Sequence, residues 1–135
     1  MNLFIPFKIL VFDDDDVSRK SIITSLVQKG YDLKSEKNTS SVSRTVEREM
    51  PDLIICSLDL PKNDSMFFLK KFRKDDFSKN IPIICHTARP ERKLIPELQS
   101  IGIRDVLLHP IEETKLYRAV EKYYKIKVIA AIAGD

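Results

Sequence analysis

The sequence predicts an α/β domain, a parallel sheet with helices on both faces, and three observations carry that prediction. Five short apolar segments alternate with five stretches of helical spacing. Four of those segments are rich in β-branched or aromatic residues, as buried strands are. A chain of 135 residues is long enough for one such core and too short for two.

The first segment, Phe7 to Phe12, reads as a buried strand. Behind it Ile22, Ile23, Leu26 and Val27 form the apolar stripe of a helix that Asp16 or Ser18 caps and Gly30 stops. Tyr31 to Glu36 alternates apolar with polar residues, so this second strand belongs at a sheet edge with one face wet. Val42, Val46 and Met50 then recur one turn apart, with Ser40 or Thr39 as cap and Pro51 as the end of that helix. Leu53 to Cys56 is the third strand, followed by a helix with Phe68, Leu69 and Phe72 on one face; Phe67 beside them is either an exposed partner contact or a gap filler. Ile81 to Cys85 is the fourth strand. Pro90 is placed to open the next helix, which Pro96 makes short, kinked or restarted with Pro96 in its first turn, because proline lacks the N–H an interior turn needs. Asp105 to Leu108 is the fifth strand, and a last helix runs from about Glu112 to Lys127 with Leu116, Val120 and Tyr123 or Tyr124 inward. These elements make residues 1–127 one domain and 128–135 a tail or linker, whose apolar stretch Val128 to Ala133 either prolongs the helix or is disordered.

Composition narrows the function. A net charge of +3, with signs interleaved along the chain, argues against a dedicated nucleic-acid surface. No apolar run approaches the roughly 20 residues of a membrane span, and Met1 to Leu10 lacks the layout of a secretory signal, so no membrane partner and a cytoplasmic location are expected. Cys56 and Cys85 sit in apolar runs without metal-ligand spacing and read as buried reduced thiols. With three glycines and no phosphate-cradling loop, the chain is a poor candidate for binding a nucleotide or flavin.

In parallel sheets with helices on both faces, the working site lies beyond the carboxyl ends of the strands. Here those places are Asp13 to Asp16, Ser57 to Asp64, His86 to Arg89, and His109-Pro110. The acidic cluster after Ile9-Leu10-Val11-Phe12, the stretch Pro51-Asp52-Leu53-Ile54-Ile55 leading to Leu60-Pro61, Thr87-Ala88-Arg89, and Gly102 followed by His109-Pro110-Ile111 stand in order and at family spacing. Over Lys8 to Lys127 the chain resembles the receiver domains of bacterial response regulators (CheY-like). The resemblance implies a doubly wound, flavodoxin-like five-stranded parallel sheet of order 2-1-3-4-5. It also implies a part in two-component phosphorelay signalling.

In that family two acidic residues after the first strand help to hold magnesium, and an aspartate ending the third strand accepts a phosphoryl group. A Thr or Ser after the fourth strand and a Lys after the fifth contact that group. Carried over, Asp13 and Asp14 fit the acidic pair and Thr87 fits the hydroxyl. The acceptor position, four residues before Pro61, holds Ser57; the lysine position, before Pro110, holds His109; and Val106 stands where an aromatic often reports the switched state. A serine hydroxyl has neither the charge for magnesium nor a carboxylate's ease as a phosphoryl acceptor, and histidine is shorter than lysine and mostly neutral near pH 7.

The departures imply a degenerate pseudo-receiver: a non-enzymatic, phosphorylation-independent protein-interaction module, requiring no cofactor and keeping at most weak, vestigial Mg2+ at Asp13 and Asp14. Its expected partner is a signalling or output protein, or a second copy, on the face formed by the fourth helix, fifth strand and fifth helix. Asp59, two residues after Ser57, is read as a solvated loop carboxylate; the alternative is an unorthodox receiver phosphorylated at Asp59 or Ser57. A more remote alternative is a small hydrolase using Ser57, His109 and Asp14, against which stand the missing nucleophile elbow and oxyanion donors.

Overall fold

The apolar segments become five parallel strands: β1 (Lys8–Phe12), β2 (Asp32–Glu36), β3 (Leu53–Ser57), β4 (Ile83–Thr87) and β5 (Asp105–Leu108). Between and after them run α1 (Asp16–Val27), α2 (Val42–Glu49), α3 (Asp64–Lys74), α4 (Leu94–Ser100) and α5 (Glu113–Ile132). The strands lie in the order β2-β1-β3-β4-β5. This computed structural model describes residues 5–134, so residues 1–4 and Asp135, included in the expected domain and tail, lie outside it.

Successive side chains of a strand point to opposite faces of the sheet, which divides the core into two layers. Ile9, Val11, Leu53, Ile55 and Ile84 pack against Ile22 and Leu26 of α1 and Leu116 and Val120 of α5. On the other face Leu10, Phe12, Ile54, Cys56, Ile83 and Cys85 meet Val42 and Val46 of α2, Phe68, Leu69 and Phe72 of α3, and Leu98 of α4. β2, with its alternating polar residues, forms one edge as expected, and β5 forms the other.

Several helix assignments need correction. α1 is capped by Asp15, whose carboxylate accepts the Ser18 N–H at 2.8 Å, and not by Asp16 or Ser18. Val27 turns to solvent at 54% exposure, while Ile22 and Leu26 are buried and Ile23 packs beside them. Met50 does not continue the stripe of α2: it is the C-cap in the left-handed region (φ 47°), with its side chain exposed. Ser41, and neither Thr39 nor Ser40, precedes the first turn of that helix, without a side-chain cap. Pro90 opens no helix; α4 begins at Leu94 and spans seven residues, with Pro96 in its first turn, where a missing N–H leaves no hydrogen bond unmade. α5 continues to Ile132, so the apolar stretch after Lys127 prolongs the helix. Phe67 is 62% exposed with its ring edge-on to Phe68, which disposes of the gap-filling alternative.

β4 also ends later than the apolar run suggests. Pairing of Ser57 with His86 carries the β3–β4 ladder beyond Cys85 and brings His86 into the sheet. Cys56 and Cys85 are partners one step earlier in the same ladder, and both are free thiols. Burial pushes the Cys56 thiol far up and Cys85 up to about 12, so neither forms the reactive thiolate.

Two measurements follow from this packing. Leu69→Ala is expected to cost about 2–5 kcal/mol in a denaturant melt, whereas Val27→Ala stays within about 0.5 kcal/mol. A chromogenic disulfide reagent is expected to label neither cysteine in the native protein and both after unfolding. Fast native labelling would show that the sheet interior opens locally.

Candidate functional site

The four aspartates after β1 have separate tasks. Asp13 is buried (1% exposed), whereas Asp14, Asp15 and Asp16 are exposed. The Asp13 carboxylate accepts the Asp15 N–H at 3.0 Å on Oδ1 and the Ser18 hydroxyl on Oδ2. Asp16 pairs with Arg19, whose guanidinium also donates to the Asp13 carbonyl at 3.0 Å. Burial alone would push the Asp13 carboxyl up, but contact with His86, the Ser18 hydroxyl and the Asp15 amide hold it below the ordinary carboxylate range. Asp14 is raised, by desolvation first and then by the charge of Asp13.

Ser57 closes β3 with its hydroxyl buried, accepting the Asp59 N–H at 3.0 Å, while its carbonyl accepts the Ser65 hydroxyl at 2.8 Å. Asp59 is not the solvated loop carboxylate that its position suggested. One of its oxygens accepts the Thr87 hydroxyl at 2.6 Å and the other the Ala88 N–H at 2.8 Å. Thr87 in turn accepts the Arg89 N–H at 2.9 Å. The two loops that leave β3 and β4 are thus clasped through one carboxylate.

The least expected participant is His86. Its Nδ1 lies 2.8 Å from Nε2 of His109, and its Nε2 lies 3.3 Å from Oδ2 of Asp13, an ion-pair distance without a fully formed hydrogen bond. Asp13, His86 and His109 therefore stand in line at the carboxyl edge of the sheet. The signal was present in the sequence: Ile84 faces α1 and α5, so a strand carried two residues further aims His86 the same way. It was missed because the apolar run stops at Cys85, which left His86 in the loop. His109 is held by this imidazole and not by Ser57, whose hydroxyl takes a backbone amide; Asp14 points to solvent. The Ser57, His109 and Asp14 hydrolase set is not assembled.

Beside this line opens a cleft of about 720 Å3, walled by Asp13, Ser18, Ser57, His86, His109 and Glu113 among others. The donor set there does not fit a magnesium ion. Of the expected pair, exposed Asp14 is one carboxylate at the cleft and both Asp13 oxygens already accept hydrogen bonds, while Asp59 is turned to Thr87 and Ala88 and Ser57 supplies no charge. Among the described residues no group of three His, Cys, Asp or Glu side chains converges as a metal site.

Comparison with known proteins agrees with this arrangement of strands and loops. Residues 9–121 match the model of the response regulator receiver domain. The chain belongs to the response regulator receiver family. A probable chemotaxis protein CheY of Rhizobium etli is 26% identical over 92% of this chain and 97% of its own length. The sporulation initiation phosphotransferase F of Bacillus subtilis is 28% identical over 89% of this chain and 95% of its own. Among solved structures, a putative response regulator from Chloroflexus aurantiacus superposes with a TM-score of 0.79 at 25% identity, over 87% of this chain and 97% of that one. An N-terminal domain from Wolinella succinogenes reaches a TM-score of 0.82 at 23% identity, over 92% and 98%, and supports the fold alone. As a receiver domain the chain is a signalling module of two-component systems, in which receivers act together with signalling or output proteins. Among the described residues no helix is long and apolar enough to cross a membrane.

The depressed Asp13 carboxyl has a pH signature with a definite sign. A group lowered by folding contributes stability above its unfolded pKa, about 3.9 for aspartate, and loses that contribution as pH falls through the folded value. The stability difference between the parent and Asp13→Asn is therefore expected to be flat above about pH 5 and to shrink below about pH 4. Denaturant melts across that range check it, and a difference that does not change with pH would contradict the assignment.

Proposed function

We propose that this receiver domain works as a phosphorylation-independent protein-interaction module of two-component signalling. The observation that carries the reading is the Asp59 clasp. The family uses the Thr87 position to contact an incoming phosphoryl group, and here that hydroxyl and the next backbone N–H already serve a carboxylate of the same chain. Serine stands at the acceptor position with its hydroxyl taken up internally. A charged acceptor of two strong hydrogen bonds holds the loop after β4 in one state without any phosphoryl donor.

The surface favours docking. β5 is a sheet edge, and the short α4 leaves Leu108 54% exposed and Ile95 and Val106 open to solvent beside it. These residues belong to the α4, β5 and α5 face on which a signalling or output protein, or a second copy, would sit. With the Asp59 clasp permanently closed, that face is static and the module needs neither a cofactor nor catalysis.

The test exposes the protein to magnesium with acetyl phosphate and, separately, with beryllofluoride, read by intact mass and two-dimensional NMR. No phosphoryl adduct and no beryllofluoride shifts at Ser57, Asp59 or Thr87 are expected. An adduct mapped to Asp59 or Ser57 would instead establish an unorthodox receiver. In the same spectra Asp59→Ala is expected to move the amides of Thr87 to Arg89 and to spread through α4 to Val106 and Leu108. A shift confined to the mutated loop would detach the clasp from the docking face.

A further inference from the structure

Asp13 holds a carboxylate at the buried floor of the cleft, and a charge there requires a compensating partner. Of the residues lining the cleft, Arg89, His86 and His109 are the only ones whose side chains carry or gain positive charge. Arg89 is exposed and makes no polar contact with Asp13, while the guanidinium of Arg19 is spent on the Asp13 carbonyl and on Asp16. What faces the carboxylate is the buried ring of His86, backed by His109.

We infer that the His86–His109 pair is the built-in counterpart of Asp13, with a proton held on His86 Nε2 toward the carboxylate, and that it takes the role a divalent cation would otherwise fill. Three observations support this. A bare Nε2 would aim its lone pair at an anionic oxygen 3.3 Å away, which is repulsive, whereas an N–H there is attractive. Nε2 is shut off from solvent and has no other polar partner among the described residues, so its proton has no other purpose in the fold. The 2.8 Å contact between the rings needs one proton between them, and with Nε2 protonated the neutral arrangement has His109 Nε2 donating to His86 Nδ1. The line then runs from His109 through His86 to Asp13, each donor strengthened by the next. A divalent cation arriving at Asp13 would meet oxygens already hydrogen-bonded and a ring N–H in place of a ligand lone pair.

The inference concerns the same site as the proposed function but fails separately. A phosphoryl adduct at Asp59 would end that reading without changing the His86 tautomer, and a bare Nε2 would end this one without touching phosphorylation.

The test is long-range 1H–15N NMR of the imidazoles in the whole chain, without metal or phosphate and then with magnesium alone. A pyrrole-type, protonated Nε2 on His86 is expected, with its resonances and the amides of Asp13 and Asp14 unmoved by millimolar magnesium. His86→Asn keeps a buried polar group but removes the ring proton, and it is expected to move the side-chain carboxyl resonance of Asp13 and the ring resonances of His109 while leaving the amides of Thr87 and Ala88 in place. A lone pair on Nε2, saturable magnesium binding by the parent at Asp13, or a folded His86→Asn whose Asp13 carboxyl resonance is unmoved would each overturn the inference. If that variant does not fold, the tautomer and the magnesium response of the parent decide it.

Discussion

The two-residue pleat of parallel strands is the constraint on which the site depends. Val11, Ile55 and Ile84 all face α1 and α5, and each strand continued by two residues delivers Asp13, Ser57 and His86 to the same side at the same edge. Leu107 packs in that layer too, and two residues on comes His109. Four side chains of three chemical kinds thus converge because the apolar core beneath them fixes the register. A slip by one residue would send all of one strand's inward side chains to the opposite face.

Convergence creates an electrostatic problem, which the chain resolves locally. Asp13 brings a buried charge. Around it stand Ser57, which carries no charge, and the two histidines His86 and His109. The outcome is a run of short-range pairings: Asp13 with Ser18, the Asp15 amide and His86; His86 with His109; Asp59 with Thr87 and Ala88. These groups are hydrogen-bonded, except that His86 Nε2 faces Asp13 at 3.3 Å without a fully formed hydrogen bond.

The same economy reaches the outer edge. Pro96 confines α4 to seven residues, and the short helix leaves Ile95, Val106 and Leu108 in the open. The loop tied by Asp59 leads directly into this segment, so the internal clasp and the exposed apolar face are joined by a few residues of chain.

How much of this the sequence determined depends on the range of the physics involved. Strand identity, the α1 and α3 core positions and the five-fold alternation follow from local periodicity, and the order of the sheet followed once the loop residues had been matched to a family. The expectation that Ser57, His109 and Val106 depart from the family's pattern rests on their positions in the chain alone. Pairing was not legible in this way. Whether Asp59 meets water or Thr87, whether His109 meets Ser57 or His86, and whether Met50 stays with its helix are settled by distances between loops far apart in the chain. Hydrogen bonds act over about 3 Å, and a sequence carries no distances of that kind until the two core layers have closed. His86 shows the division most plainly: its residue type and pleat position were written in the chain, but only the β3–β4 ladder decided that the strand would run far enough to use them.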